Sequence, residues 1–96
     1  MRRCLKILVT GKVQAVGYRK YVQAQATQLD IEGTIQNIND GSVNILICGK
    51  STNLDEFIDV LYKGTKGSKV ENVLVEPLSQ TKDFRGVFRI IGMGEE

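Results

Sequence analysis

Residues 33–48 read GTIQNINDGSVNILIC, two β-prone runs, 33–37 and 42–48, separated by Ile38-Asn39-Asp40-Gly41. An Asp-Gly pair between such runs is a strong hairpin signal, because it accepts the positive φ that a tight reversal demands. The stretch is therefore predicted to form two antiparallel strands, the second and third of the chain, and the segments on either side of it decide the fold.

Upstream, Leu5, Ile7 and Val9 alternate with Cys4, Lys6 and Leu8, which predicts a first strand running into a glycine-containing stretch at residues 11–17. Tyr18, Val22, Gln25, Ala26 and Leu29 then fall at helical spacing, with Gln, Ala, Lys and Arg filling the other positions. Downstream, Leu54, Phe57, Ile58 and Leu61 recur at i, i+3, i+4 and i+7. Asn53 with Glu56 three residues on reads as an N-cap pair, so a second helix is predicted over 53–63, stopped by Gly64. Val70, Val73 and Val75 predict a strand over 70–77, and residues 84–91 predict another with Gly86 as a bulge. There is no repeat or linker, and residues 1–96 read as one domain. The order is βαββαβ with a short extra C-terminal strand. With both helices amphipathic, it implies an α+β ferredoxin-like sandwich, an antiparallel sheet with two helices on one face.

A chain of 96 residues, 42% hydrophobic and 25% charged, has ordinary composition for one small domain with its own core. It has no histidine, which removes the commonest general base, the commonest metal ligand and every Ser-His or Cys-His nucleophile pair. Cys4 and Cys48 alone, far apart, supply neither a tetrahedral zinc site nor a CxxC redox motif, so no metal and no cofactor are expected. The apolar run near the start ends at Val9, too short for a signal-peptide core or a spanning helix. The chain reads as soluble and cytoplasmic, with no membrane partner. A net charge of +2 is too mild for a nucleic-acid arm, but it is unevenly spread: residues 1–30 carry +5, 31–60 carry −4 and 61–96 carry +1. Any anion should prefer the N-terminal third.

The stretch Gly11-Lys12-Val13-Gln14-Ala15-Val16-Gly17-Tyr18-Arg19 lies between the first strand and the first helix, where backbone N–H groups and the positive end of the helix dipole converge. No Ser, Thr, Asp or Asn caps the helix at Val16 or Gly17, and Arg19-Lys20 put cations at the wrong end of the dipole. Such broken local rules hint at a site, although for two glycines alone a glycine-assisted turn with solvated basic residues is the favoured reading. Asn37 is a second candidate. Strands one and two of a βαβ unit run parallel, so the end of the second lies at the same sheet edge as the loop after the first, and Asn37 and Arg19 can face one pocket. Taken alone, an Asn at this place before the turn is more often a turn former.

The two segments GKVQAVGYR, residues 11–19, and GTIQNINDGSV, residues 33–43, strongly resemble the acylphosphatase family, whose signatures run approximately GxVQGVGFR and GWVxNxxDGxV. The resemblance continues through Ala26, Leu29, Ile31 and Gly33, then Phe57, Leu61, Gly64, Ser68 and Val70, to Asp83-Phe84-Arg85, and so covers nearly the whole chain. It implies hydrolysis of the carboxyl-phosphate bond of small acyl phosphates to a carboxylate and phosphate. It further implies that Lys12, Val13, Gln14, Ala15, Val16, Gly17 and Tyr18 form the phosphate-binding loop, that Arg19 is the catalytic arginine, and that Asn37 positions the attacking water. The expected partners are the acyl phosphate and inorganic phosphate, and the expected state is a monomer.

Ala15 departs from the glycine of the family signature, and a Cβ there costs on the order of 1 kcal/mol if the residue has positive φ. Thr34 stands where tryptophan is common, Asp30 where a helix-ending glycine is common, and Thr65-Lys66 where a proline-rich turn is common; these read as structural. The topology sets Cys4 opposite Cys48 on antiparallel neighbours, both on the face away from the helices. The pair can form a disulfide on oxidation, with free thiols expected in a reducing cytoplasm. The alternative function is a ferredoxin-like module that binds phosphate, a small ligand or RNA without turnover. RNA-recognition domains stack bases on aromatic residues of the open sheet face. The residues expected there, Cys4, Lys6, Leu8, Asn44, Leu46 and Cys48, include none, so no nucleic acid is expected.

Overall fold

In the computed structural model of the protein, which describes residues 1–92, alternation at period two separates the two faces of the first strand, β1 (Arg2–Lys12). Leu5, Ile7 and Val9 turn inward and are buried, whereas Lys6 and Leu8 turn to the other face. The chain continues as α1 (Tyr18–Gln28), β2 (Glu32–Asn37), β3 (Val43–Lys50), α2 (Ser51–Lys63), β4 (Lys69–Pro77) and β5 (Phe88–Ile91), and the strands lie in the order β4-β1-β3-β2-β5. No helix among the described residues is long and apolar enough to cross a membrane.

The core sits between one face of this sheet and both helices. Ile7, Val9, Ile35, Ile45 and Ile47 from the sheet meet Tyr18, Val22 and Ala26 of α1 and Leu54, Phe57 and Leu61 of α2 in one buried cluster. Helix α1 ends as its sequence allows. Asp30 takes φ 57, and Ile31 N–H reaches back to the Ala26 carbonyl at 2.9 Å, the geometry that a C-terminal glycine usually supplies. Helix α2 begins earlier than the Asn53 cap predicts. Strand β3 runs directly into it, Lys50 occupies the cap position without a side-chain bond, and Ser51 N–H donates to the Met1 carbonyl at 3.1 Å. Gly64, at φ 63, ends α2.

The sheet is mixed, and not antiparallel throughout as expected: β5 runs parallel to β2, with Gly33 opposite Phe88 and Gln36 opposite Ile91. The reason is topological. Strand β4, antiparallel to β1 at one edge, leaves the sheet at the end where β1 begins, and residues 78–87 cross that end to the opposite edge. A strand entered from there can only run in the direction of β1 and β2. Glu32 secures the crossing. Its side chain is only 15% exposed; Oε1 accepts from Gly86 N–H at 2.8 Å and Oε2 from Phe84 N–H at 3.0 Å, and it pairs with Arg2. Residues 84–87 are accordingly a turn, with Arg85 at φ 61 and Gly86 at φ 74, and the strand is shorter than the predicted 84–91. Under the crossing, Cys4 and Cys48 are cross-strand partners of β1 and β3 and are joined in a disulfide.

Candidate active site

Residues 13–17 connect β1 to α1 at the sheet end opposite the disulfide. Strand β1 reaches this loop through a bulge: the register with β4 shifts between Thr10 and Gly11, Gly11 adopts φ 123, and a Cβ there would run into the Lys69 carbonyl oxygen. Val13 plugs the core at 1% exposure, which fixes the root of the loop.

Two side-chain contacts then hold the loop from opposite sides. Gln14 Nε2 donates to the Ile38 carbonyl at 2.8 Å and to the Ser42 carbonyl at 2.9 Å, which ties the loop to the β2–β3 turn. On the other side Thr65 Oγ1 donates to the Val16 carbonyl at 3.1 Å, and Ser68 fastens the Thr65 turn by accepting from Thr65 N–H at 2.8 Å and donating to the Thr65 carbonyl at 3.0 Å. Gln14, placed in the loop by the sequence reading, thus has a side chain committed to positioning. Thr65 and Ser68 were not read as site residues. The partner of the Thr65 hydroxyl is a backbone carbonyl 49 residues away, and no local pattern announces such a contact.

Gly17 caps α1 in the left-handed region at φ 75 with no side-chain bond, and no acidic residue lies in the first turn. The first turn therefore contributes no carboxylate of its own to offset the dipole that the helix end presents to the loop. A concavity of about 170 Å³ opens here, lined by Val13, Ala15, Gly17, Tyr18, Arg19 and Lys20 with Ile90 of β5 as its apolar wall. Arg19 is half-buried at the second position of α1. Tyr18 gives this site only its backbone. Its ring is buried, its hydroxyl donates to the Leu61 carbonyl at 2.9 Å, and burial together with neighbouring Tyr21 pushes that hydroxyl well above the ordinary tyrosine range.

Asn37 is the last residue of β2 and does not line the concavity; Gln14, bonded to the adjacent Ile38, is what links it to the loop. Its Oδ1 is buried and accepts no hydrogen bond from any described residue. Leaving an amide oxygen in that condition costs about 1–3 kcal/mol, a cost that folding alone does not explain. The turn beside it is rigid. Ile38 N–H donates to the Ser42 carbonyl at 2.9 Å, and Asp40 Oδ1 accepts from Ser42 Oγ at 2.6 Å and Ser42 N–H at 2.9 Å. These bonds from Ser42 hold the Asp40 carboxyl below its ordinary range, so Asp40 is an ionised turn former with no proton to offer near neutrality.

Ala15 adopts φ 60, the conformation in which a Cβ is costly. Ala15→Gly is expected to raise the unfolding free energy by about 1 kcal/mol and to tighten phosphate binding, because the loop can then relax without the Cβ penalty. Denaturant unfolding and phosphate titration of the same sample check both; no change in either would show that this loop carries alanine without strain.

The family model described as Acylphosphatase matches residues 5–90. The acylphosphatase of Vibrio parahaemolyticus is 36% identical over 89 residues, which cover 93% of this chain and 97% of that protein. Among solved structures, the acylphosphatase from Bacillus subtilis superposes with a TM-score of 0.89 at 32% identity, covering 95% of this chain and 99% of that one. The acylphosphatase from Coxiella burnetii gives 0.88 at 29% identity over 94% and 93% of the two chains. Sequence, topology and the matched segments agree, and the chain belongs to the acylphosphatase family.

Proposed function

We propose that the protein is a hydrolase that cleaves the carboxyl-phosphate bond of small acyl phosphates, with the loop N–H groups and Arg19 holding the phosphoryl group and Asn37 orienting the attacking water. The observation that carries this reading is the buried Asn37 Oδ1, an acceptor with no partner among the described residues, fastened through Gln14 to the loop that ends at an uncapped helix. Water donates one hydrogen to Oδ1, directs a lone pair at phosphorus and attacks in line. The bond between phosphorus and the bridging oxygen breaks, the acyl part leaves as a carboxylate, and the water proton passes to the phosphate product. A carboxylate is a good leaving group and needs no general acid, which suits a chain without histidine. The transition state is loose, so a planar guanidinium fork and converging N–H dipoles supply most of what the reaction requires.

Asn37→Ala tests the division of labour. It is expected to lower kcat for benzoyl phosphate on the order of tenfold to 100-fold, the cost of losing one positioned reactant, while leaving the phosphate dissociation constant within about twofold. A matching loss of phosphate affinity would mean that Asn37 holds the phosphoryl group instead of the water.

A further inference from the structure

Thr65 makes one contact that its own turn does not need. Ser68 closes that turn: its Oγ accepts from Thr65 N–H at 2.8 Å and donates to the Thr65 carbonyl at 3.0 Å, and its N–H donates to the same carbonyl at 3.1 Å. Gly64, at φ 63, leaves the Ser68 hydroxyl the room that a Cβ would take. The half-buried Thr65 side chain is thereby left to the loop ahead of α1, where its hydroxyl donates to the Val16 carbonyl at 3.1 Å. That carbonyl belongs to the peptide whose other end is the Gly17 N–H. The peptide is planar and trans, so an oxygen drawn toward Thr65 sends the N–H the opposite way.

Among the described residues Gly17 lines the concavity beside Arg19, and Val16 and Thr65 do not. The Gly17 N–H also precedes the first helical bond of α1, which runs from Tyr21 N–H to the Gly17 carbonyl, so the helix makes no use of it. Glycine leaves the orientation of this peptide open. A half-turn of the Val16–Gly17 peptide carries Gly17 from φ 75 to negative φ, and glycine takes both. Beyond its chain neighbours no described atom lies within 4 Å of where a Gly17 Cβ would stand, so packing does not hold the residue either. In the turned state a carbonyl oxygen replaces a donor at the site and repels an anion.

We propose that Thr65 is a positioning residue for phosphoryl binding: by holding the Val16 carbonyl, it keeps the Val16–Gly17 peptide turned so that the cradle presents the Gly17 N–H and not a carbonyl oxygen. This rests on the reading of residues 12–18 as the phosphoryl cradle. Thr65 itself touches no phosphoryl oxygen and acts through the peptide. A hydrogen bond to a charged acceptor is worth about tenfold or more in affinity, and exchanging the donor for an oxygen forfeits the bond and adds repulsion.

The test removes the hydroxyl and keeps the shape. Thr65→Val should raise the dissociation constant of inorganic phosphate about tenfold, and kcat/KM for benzoyl phosphate should fall by at least that factor. Thr65→Ala should match it, which removes the added methyl as a cause, and Thr65→Ser, which keeps the donor, should stay within about twofold of the wild type in both measurements. Thr27→Val is the control: it deletes a hydroxyl bonded to the Gln23 carbonyl at 2.9 Å in α1, away from the loop, and should change neither. Residual dipolar couplings of the Gly17 N–H in the phosphate-free protein read the peptide plane directly. They should depart from the wild-type value in Thr65→Val and keep it in Thr65→Ser, while those of residues 20–28 stay the same in all variants. This readout needs neither phosphate nor turnover, which separates failure of the latch from failure of the hydrolase reading. Unchanged Gly17 couplings in Thr65→Val, a phosphate affinity equal to that of the wild type, or a loss in Thr65→Ser as large as in Thr65→Val, overturns the proposal.

Discussion

Arg19→Gln is expected to lower kcat/KM for an acyl phosphate on the order of 100- to 1,000-fold, the loss that follows removal of one preorganised electrostatic contact to a developing charge. Arg19 stands at the second position of α1, half-buried, in the wall of the concavity whose floor is the loop. A cation in the first turn of a helix is unfavourable for the dipole, and an anion bound at that end would offset the cost. Removing it should therefore leave folding intact, since glutamine has good helix propensity and the side chain is not part of the buried cluster. Arg19→Lys should lose most of the activity as well, because an ammonium cannot grip two phosphoryl oxygens as a planar fork does. The measurement is steady-state hydrolysis of benzoyl phosphate beside a thermal unfolding curve for each variant. Activity near the wild-type level in both would remove Arg19 from the mechanism.

The parts of this site that were legible in the sequence are those governed by short-range rules. The Asp-Gly hairpin set strands two and three, the glycine at position 17 marked the entry to α1, and the element order that these gave placed Cys4 opposite Cys48. Asp30 and Asp40 behaved as local turn residues do, one in the left-handed region and one bonded to Ser42. What was not legible depends on where distant backbone groups arrive. Glu32 holds N–H groups more than fifty residues downstream, and the direction of β5 follows from a crossing that no periodicity encodes. The same holds at the site, where Gln14 reads as another polar loop residue until the Ile38 and Ser42 carbonyls come within reach of its amide. The signature segments contain the loop and the β2–β3 turn, and the long-range bonds of Gln14 are what join the two.

Removal of the Cys4–Cys48 disulfide, by reduction or by the double variant Cys4→Ser/Cys48→Ser, is expected to lower the unfolding free energy by about 4 kcal/mol. The bridge joins positions 44 residues apart, and closing a loop of that length restricts the unfolded chain by roughly that amount on the chain-entropy account. The folded state loses little, because β1 and β3 stay paired over eight registered positions whether or not the sulfurs are bonded. For a chain of this size the change corresponds to a fall in Tm of about 15–20 °C. Activity at 25 °C should be unaffected, since the bridge lies under the 78–87 crossing at the sheet end remote from residues 13–17. Scanning calorimetry with and without a thiol reductant reads the first effect, and hydrolysis of benzoyl phosphate on the same samples reads the second. A Tm that moves by less than about 3 °C would mean that the bridge does not restrain the unfolded chain as loop entropy requires. A parallel loss of activity would mean that β1 transmits the state of one end of the sheet to the loop at the other. In that case the bulge at Gly11, where β1 shifts register against β4 just before the loop, is the element to alter next.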